Sequence, residues 1–196
     1  MFTIESKFYQ FSRALYRMVL TNLLFVIVSL PIVTFPAAFA ALVTTLSNEN
    51  EYRIVYPYFR QVKKNLLRTV PLGLFNLFSI LFYLSIYQMV ATSLFIRLIL
   101  WVFVGFLFTY NINLYYIQTV SEQPKNYFQL FQWSFFFTSL TFYKELVVLL
   151  IFTIFYFVLF SYLPVVVYLL GISAPIYFYV KTVKRSLVKM NLIEES

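Results

Sequence analysis

A run of twenty-one uncharged residues, Asn22-Leu-Leu-Phe-Val-Ile-Val-Ser-Leu-Pro-Ile-Val-Thr-Phe-Pro-Ala-Ala-Phe-Ala-Ala-Leu42, carries two prolines at its middle, Pro31 and Pro36. Uninterrupted, a run of this length reads as a membrane-spanning helix, because about 20 apolar residues cover the hydrocarbon core. A helix-interior proline removes a backbone hydrogen bond and collides with the preceding turn. The run is therefore expected to be a broken helix. Such a break survives at membrane depth only where protein groups surround it.

Composition places the rest of the chain in the same solvent. Hydrophobic residues make up 62% of the 196, against roughly 45–50% in soluble domains. Mean hydropathy is +0.82, and only 11% of residues are charged. A surface built from such a chain cannot be kept in water. The chain reads as an integral membrane protein of the all-α, polytopic helical-bundle class.

The segments follow from hydropathy and punctuation. Residues 1–17 interleave Lys7, Arg13 and Arg17 with Phe8, Phe11 and Leu15, the pattern of an interfacial amphipathic helix. Residues 18–46 form the broken hairpin, either re-entrant or two short spans, with Thr34 as the helix cap of its second half and Pro36 in that half's first turn. Residues 47–69 are a basic connection that includes a second amphipathic helix from 56. Residues 70–118 form one hairpin of two spans and 146–180 another, giving four clear transmembrane helices. Between them, 119–145 is a polar and then aromatic connection, and 181–196 is a tail, all within one domain. Tyr58-Phe59-Arg60 and Tyr127-Phe128-Gln129 form a faint internal echo of a surface helix followed by two spans.

Charge sets the expected orientation, since cytoplasmic loops carry the excess Lys and Arg. With 18–46 as a hairpin, fourteen of the fifteen cations share one side and only Arg97 lies near the other. With a single crossing there, the chain has five spans and three N-terminal cations change sides. The hairpin is preferred, with both termini cytoplasmic. The net charge of +8 is assigned to anionic lipid headgroups rather than nucleic acid, because the cations flank apolar segments. The first residues, Met1-Phe-Thr-Ile-Glu-Ser-Lys7, lack the pattern of a cleavable signal, so the spans are expected to direct insertion.

Chemistry is sparse. The chain has no histidine, aspartate or cysteine, and its seven acids are all glutamates. Disulfides and thiolate chemistry are excluded. Enzymatic hydrolysis and metal catalysis lack their usual residue types, and no cofactor or metal is expected. Glu145 sits beside Lys144 where a span is expected to begin, and reads as half of a solvated end pair. No acid is then expected inside a span, which disfavours proton- or sodium-coupled transport. Arg97 is expected to snorkel to the outer headgroups or meet a partner. Asn76, Ser79 and Tyr83 share a helical face, as do Thr109 and Asn113, and both sets read as interhelical hydrogen bonding.

The pattern Asn22-Leu-Leu-Phe…Ser29-Leu-Pro-Ile-Val-Thr34…Ala37-Ala…Ala40-Ala-Leu42 resembles the signature of the YesL-like family of bacterial integral membrane proteins. The basic stretch from Phe59 to Lys64-Asn65 resembles the family's following motif, and Phe35-Pro36 departs from its frequent Ile-Gly. The resemblance implies a bacterial plasma-membrane protein encoded beside carbohydrate ABC importers, with no catalytic residues to carry over. The expected role is a non-enzymatic accessory or assembly protein docking on ABC permease subunits. The alternative is a small permease that uses the broken helix as its site. Structural or partner candidates are Pro31, Thr34, Pro36, Arg60, Lys64, Asn65 and Arg97.

Overall fold

The computed structural model describes residues 7–48, 53–89, 94–120 and 126–189. The Ala91-Thr92 turn, the polar patch 121–125, the acidic Glu194-Glu195 tail and the first six residues lie outside them. So do the side chains of Lys7, Gln88 and Lys189. Among the described residues there are eight α-helices, one 3-10 turn and no strand.

Helix α1 (Lys7–Ser29) runs unbroken, so the expected interfacial helix and the first apolar segment are one element. A 3-10 turn (Ile32–Thr34) leads into α2 (Phe35–Ser47), which at 13 residues is only about 20 Å long. That is shorter than the roughly 30 Å hydrocarbon core, so α2 does not cross by itself. It nevertheless forms the middle of the fold. Ala38, Ala40, Ala41, Leu42 and Val43 have no exposed surface, and α2 packs on α1, α3, α4, α5 and α8. Alanine on every side lets neighbouring backbones close in, the way small residues pack helices without a hydrophobic drive.

The chain reverses at Pro31. Arg17, in the middle of α1 and only 4% exposed, donates to the carbonyls of Thr45, at 3.2 Å, and of Asn48, at the end of α2. A guanidinium on those last carbonyls also faces the negative end of the helix dipole. The hairpin read from the prolines is therefore closed by a cation fourteen residues before Pro31.

The break itself is satisfied from within. Thr34 Oγ1 lies within hydrogen-bond reach of the carbonyl of Val28, at the end of α1, and of that of Pro31, which also accepts from the Thr34 backbone N–H at 3.0 Å. Thr34 does occupy the capping position of α2, but its hydroxyl makes no bond to α2 and serves α1 instead. The Pro36 ring packs onto α4 (Val70–Met89) at Gly73, where an added Cβ would lie 2.5 Å from Pro36 Cγ.

Helix α3 (Val55–Asn65) presents Tyr58, Val62 and Asn65 inward on one stripe and ends in Lys63 and Lys64. Tyr58, fully buried, donates to the carbonyl of Ala38 at 3.1 Å. Helix α5 (Leu94–Val120) is one long span candidate.

Helix α6 (Tyr127–Tyr162) differs most from expectation. It is one 36-residue helix rather than a connection followed by a span starting at 146. The aromatic stretch 127–143 holds neither proline nor glycine, and a charged pair does not by itself end a helix. Two shorter helices follow, α7 (Pro164–Leu170) and α8 (Ser173–Lys189), bent by 49° at Gly171-Ile172.

That second break is also served by side chains. Asn22 of α1 donates to the Tyr168 carbonyl at 2.9 Å and accepts from the N–H groups of Ile172 and Ser173, each at 3.2 Å. Tyr156 donates to the Leu170 carbonyl at 2.8 Å. The protein is thus a polytopic helical bundle. Helices α1, α5 and α6 are each long and apolar enough to cross a membrane, or up to five segments if the bent pairs α3–α4 (82°) and α7–α8 each count as one. The four clear spans expected from the sequence fall inside that range.

Thr34→Val is expected to destabilise the chain by about 1–3 kcal/mol, because the Val28 carbonyl loses its side-chain donor, while Thr34→Ser keeps it. Gly73→Ala is expected to cost a similar ~1–3 kcal/mol by overpacking, and Pro36→Ala in the same chain to return part of it. Thermal unfolding of the purified variants checks both, and strict additivity of Gly73→Ala and Pro36→Ala would sink the proposed contact.

Candidate functional site

Four polar residues recur along α6 at Ser134, Thr138, Thr141 and Glu145, a spacing that puts them on one helical face. All four are buried, and Glu145 has no exposed surface. Opposite stand Thr109 and Asn113 of α5 and Tyr179 of α8, also with no exposed surface. Three helices therefore converge on one carboxylate.

Glu145 Oε2 accepts from Tyr179 OH at 2.7 Å, and Oε1 from the Thr141 hydroxyl one turn back. The Asn113 amide reaches Oε1 at 3.1 Å and Oε2 at 3.0 Å, and places its other N–H on Thr138 Oγ1 at 2.9 Å. Every donor to the carboxylate is uncharged. Lys144, next in sequence, puts its ammonium 5.5 Å over the Tyr143 ring instead.

The solvated end pair expected for Lys144-Glu145 is corrected by this packing. So is the expectation that no acid lies inside a span, since Glu145 belongs to a helix long enough to cross. Helix α6 continues through the charged pair, and three neutral donors replace the water that a carboxylate at a membrane surface would use.

The proton count in the cluster is uneven. Tyr179 has one hydroxyl proton and faces three acceptors: Glu145 Oε2, Asn113 Oδ1 at 3.0 Å and the Thr109 carbonyl at 3.2 Å. With Glu145 ionised, the proton points at the carboxylate. With Glu145 protonated, its own O–H donates to the Tyr179 oxygen, and Tyr179 turns its proton to Asn113 or Thr109. Both states close their hydrogen bonds without moving a helix.

The residues singled out from the sequence lie elsewhere. Pro31, Thr34 and Pro36 form the exposed-to-half-buried tip of the α1–α2 hairpin. Arg60 and Lys64, both exposed, rim a pocket of about 320 Å3 at the end of α2, shared with Thr45, Asn48, Tyr56 and Gln61. Asn65 is buried, and its carbonyl accepts from the backbone and hydroxyl of Thr69 at 2.9 and 2.8 Å. Arg97 is exposed in the first turn of α5. The structure brings Arg60 and Lys64 together and leaves the others apart. Of the central cluster, the Thr109–Asn113 face was marked in the sequence; Glu145 and Tyr179 were not. The four-residue polar stripe on α6 was the signal that could have found Glu145.

Among the described residues, no three of His, Cys, Asp and Glu lie close enough to hold a metal ion. No known protein family, curated protein or solved structure matches the chain.

Asn113→Leu is expected to destabilise by at least about 1–3 kcal/mol, since it takes an N–H from a buried carboxylate. With Glu145 ionised, Glu145→Leu in the same background should return part of that loss, because a buried charge short of a donor costs more than an apolar pair. A double variant no more stable than Asn113→Leu alone, in a denaturation series, would contradict an ionised Glu145 in the native state.

Proposed function

We propose that the chain is a small, non-enzymatic permease of the bacterial plasma membrane, with Glu145, Asn113 and Tyr179 as its proton-binding centre. The observation that carries this reading is a carboxylate with no exposed surface inside an apolar helix, held only by neutral donors. Acids in such places mark ion and proton paths in membrane proteins. The two hydrogen-bond arrangements open to Tyr179 supply what a coupling site needs, a cheap exchange between protonated and ionised forms. Both termini are taken as cytoplasmic, on the distribution of Lys and Arg.

In vesicles containing the full chain and a mixture of small polar solutes, an imposed pH gradient is expected to decay faster than in protein-free vesicles. Glu145→Gln, an uncharged side chain of nearly the same shape as the protonated acid, should remove most of the gain while keeping the chain folded. Equal decay with and without protein would overturn the reading.

A second reading follows the resemblance carried by Ser29-Leu-Pro-Ile-Val-Thr34: an accessory protein of a carbohydrate ABC importer. Exposed aromatics along α6, including Phe128, Phe135 and Phe136, offer a lateral face for permease subunits. Permeases retained on purification from native membrane under mild detergent would support it, and their consistent loss would count against it.

A further inference from the structure

Helix α3 turns one stripe into the core and a different one outward. Tyr58, Val62 and Asn65 are buried, whereas Tyr56, Arg60 and Lys64, spaced four apart, are exposed. With the end of α2, that outer stripe lines the pocket of about 320 Å3, which falls within the roughly 300–1,000 Å3 of small-molecule sites. Gln61 of α3 and Asn48 of α2 add amides to its walls.

The pocket is charged in one sense only. Neither Arg60 nor Lys64 meets an acid among the described residues, where the one carboxylate is Glu145, held in the cluster of α5, α6 and α8. Like charges one helical turn apart repel, and an anion between them reverses that repulsion. The end of α2 would normally oppose an anion, since a helix C-terminus carries partial negative charge. Here the buried Arg17 covers the carbonyls of Thr45 and Asn48, so that charge is countered from behind. Thr44 spends its hydroxyl proton on the Ala40 carbonyl at 2.8 Å. Donors for a ligand therefore come from the Arg60 fork, the Lys64 ammonium and the Gln61 amide. A fork beside a second cation suits an oxyanion with charge near −2 and several free oxygens, which describes a phosphomonoester.

The surroundings show where such a ligand comes from. Helix α3 is bent by 82° from α4. With α4 across a bilayer, α3 lies along its surface, the setting of a basic amphipathic helix. Phe59 in α3 and Leu67 just after it are 48% and 82% exposed, apolar side chains suited to acyl chains rather than water. The phosphate is thus met at headgroup depth, where basic pockets hold lipid heads.

We infer that the pocket between α2 and α3 binds the phosphomonoester headgroup of an anionic lipid, with Arg60 and Lys64 neutralising its two charges and Gln61 donating from the wall. A phosphodiester head such as phosphatidylglycerol brings one charge and fewer free oxygens. A choline head brings a cation of its own. The inference goes beyond the transport reading and uses none of its residues.

The test titrates the full chain in dodecyl maltoside micelles with dioctanoyl phosphatidic acid, dioctanoyl phosphatidylglycerol or glycerol 3-phosphate, and reads binding by calorimetry. Phosphatidic acid is expected to bind at least about tenfold tighter than phosphatidylglycerol, the worth of one charge-assisted hydrogen bond. Glycerol 3-phosphate, the same head without chains, should bind at least about tenfold more weakly than phosphatidic acid. Equal affinity would make the ligand a soluble phosphate ester and overturn the lipid as its source. Arg60→Gln with Lys64→Gln should weaken phosphatidic acid binding by at least about tenfold. Lys63→Gln with Arg68→Gln removes the same charge from the same stretch outside the pocket, and should leave binding nearly unchanged. All four side chains are exposed, so the lipid-free thermal midpoint should hold in both variants. Glu49 and Glu51 lie outside the described residues; a gain of about tenfold on changing both to Gln would make the chain's own acids the occupant and overturn the inference. Glu145→Gln should keep the binding, so that failure here and failure of transport are separate results. Equal losses from the two cation pairs, no preference for phosphatidic acid, or no binding at all would each overturn the inference.

Discussion

Broken helices inside an apolar protein leave backbone carbonyls and N–H groups that no solvent will satisfy, and that debt organises this fold. It is met by a few side chains sent across from other elements. Thr34 turns back onto the end of α1, Asn22 bridges the α7–α8 break, and Tyr156 and Tyr58 reach the carbonyls of Leu170 and Ala38. Arg17 does the same for the end of α2 with a charged group. The Asn22 and Tyr156 contacts tie the α7–α8 break to α1 and α6, so there satisfying the backbone and fixing the tertiary arrangement are the same act.

The buried polar groups divide along α5. One face joins Asn113 to the carboxylate of Glu145 and the hydroxyl of Tyr179, a cluster whose hydrogen bonds close in two ways. On the other, Asn111 and, across from it on α4, Asn76 keep buried amide oxygens without a hydrogen-bond partner. The first group closes its hydrogen bonds and the second does not.

Much of the architecture was legible because its signals are local. Two prolines in an uncharged run give a reversal, and the mixed basic and apolar stretch from 56 gives an amphipathic helix, α3. The length of α6 was not legible, because Lys144-Glu145 looks like a membrane boundary until its partners are known. Those partners lie 32 residues before Glu145 and 34 after it, a pairing of sequence positions that no local pattern announces. Thr34 shows the same limit at small scale: its position was readable, but which helix its hydroxyl serves depends on how the chain turns at Pro31. Asn22 was visible as a polar residue in an apolar run, but not its task, since the broken backbone it satisfies is some 150 residues away.

The alanine face of α2 has a consequence for biogenesis. A 13-residue helix leaving the ribosome early is too short to settle across a bilayer and too apolar to remain in water. Its permanent neighbours on α5 and α8 are synthesised only after a further 47 and 126 residues, counted from Ser47 to Leu94 and Ser173. Until then its exposed alanine backbone has only α1, α3 and α4 to lean on. Burial of α2 is therefore completed late, when α8 closes over a helix synthesised well before it.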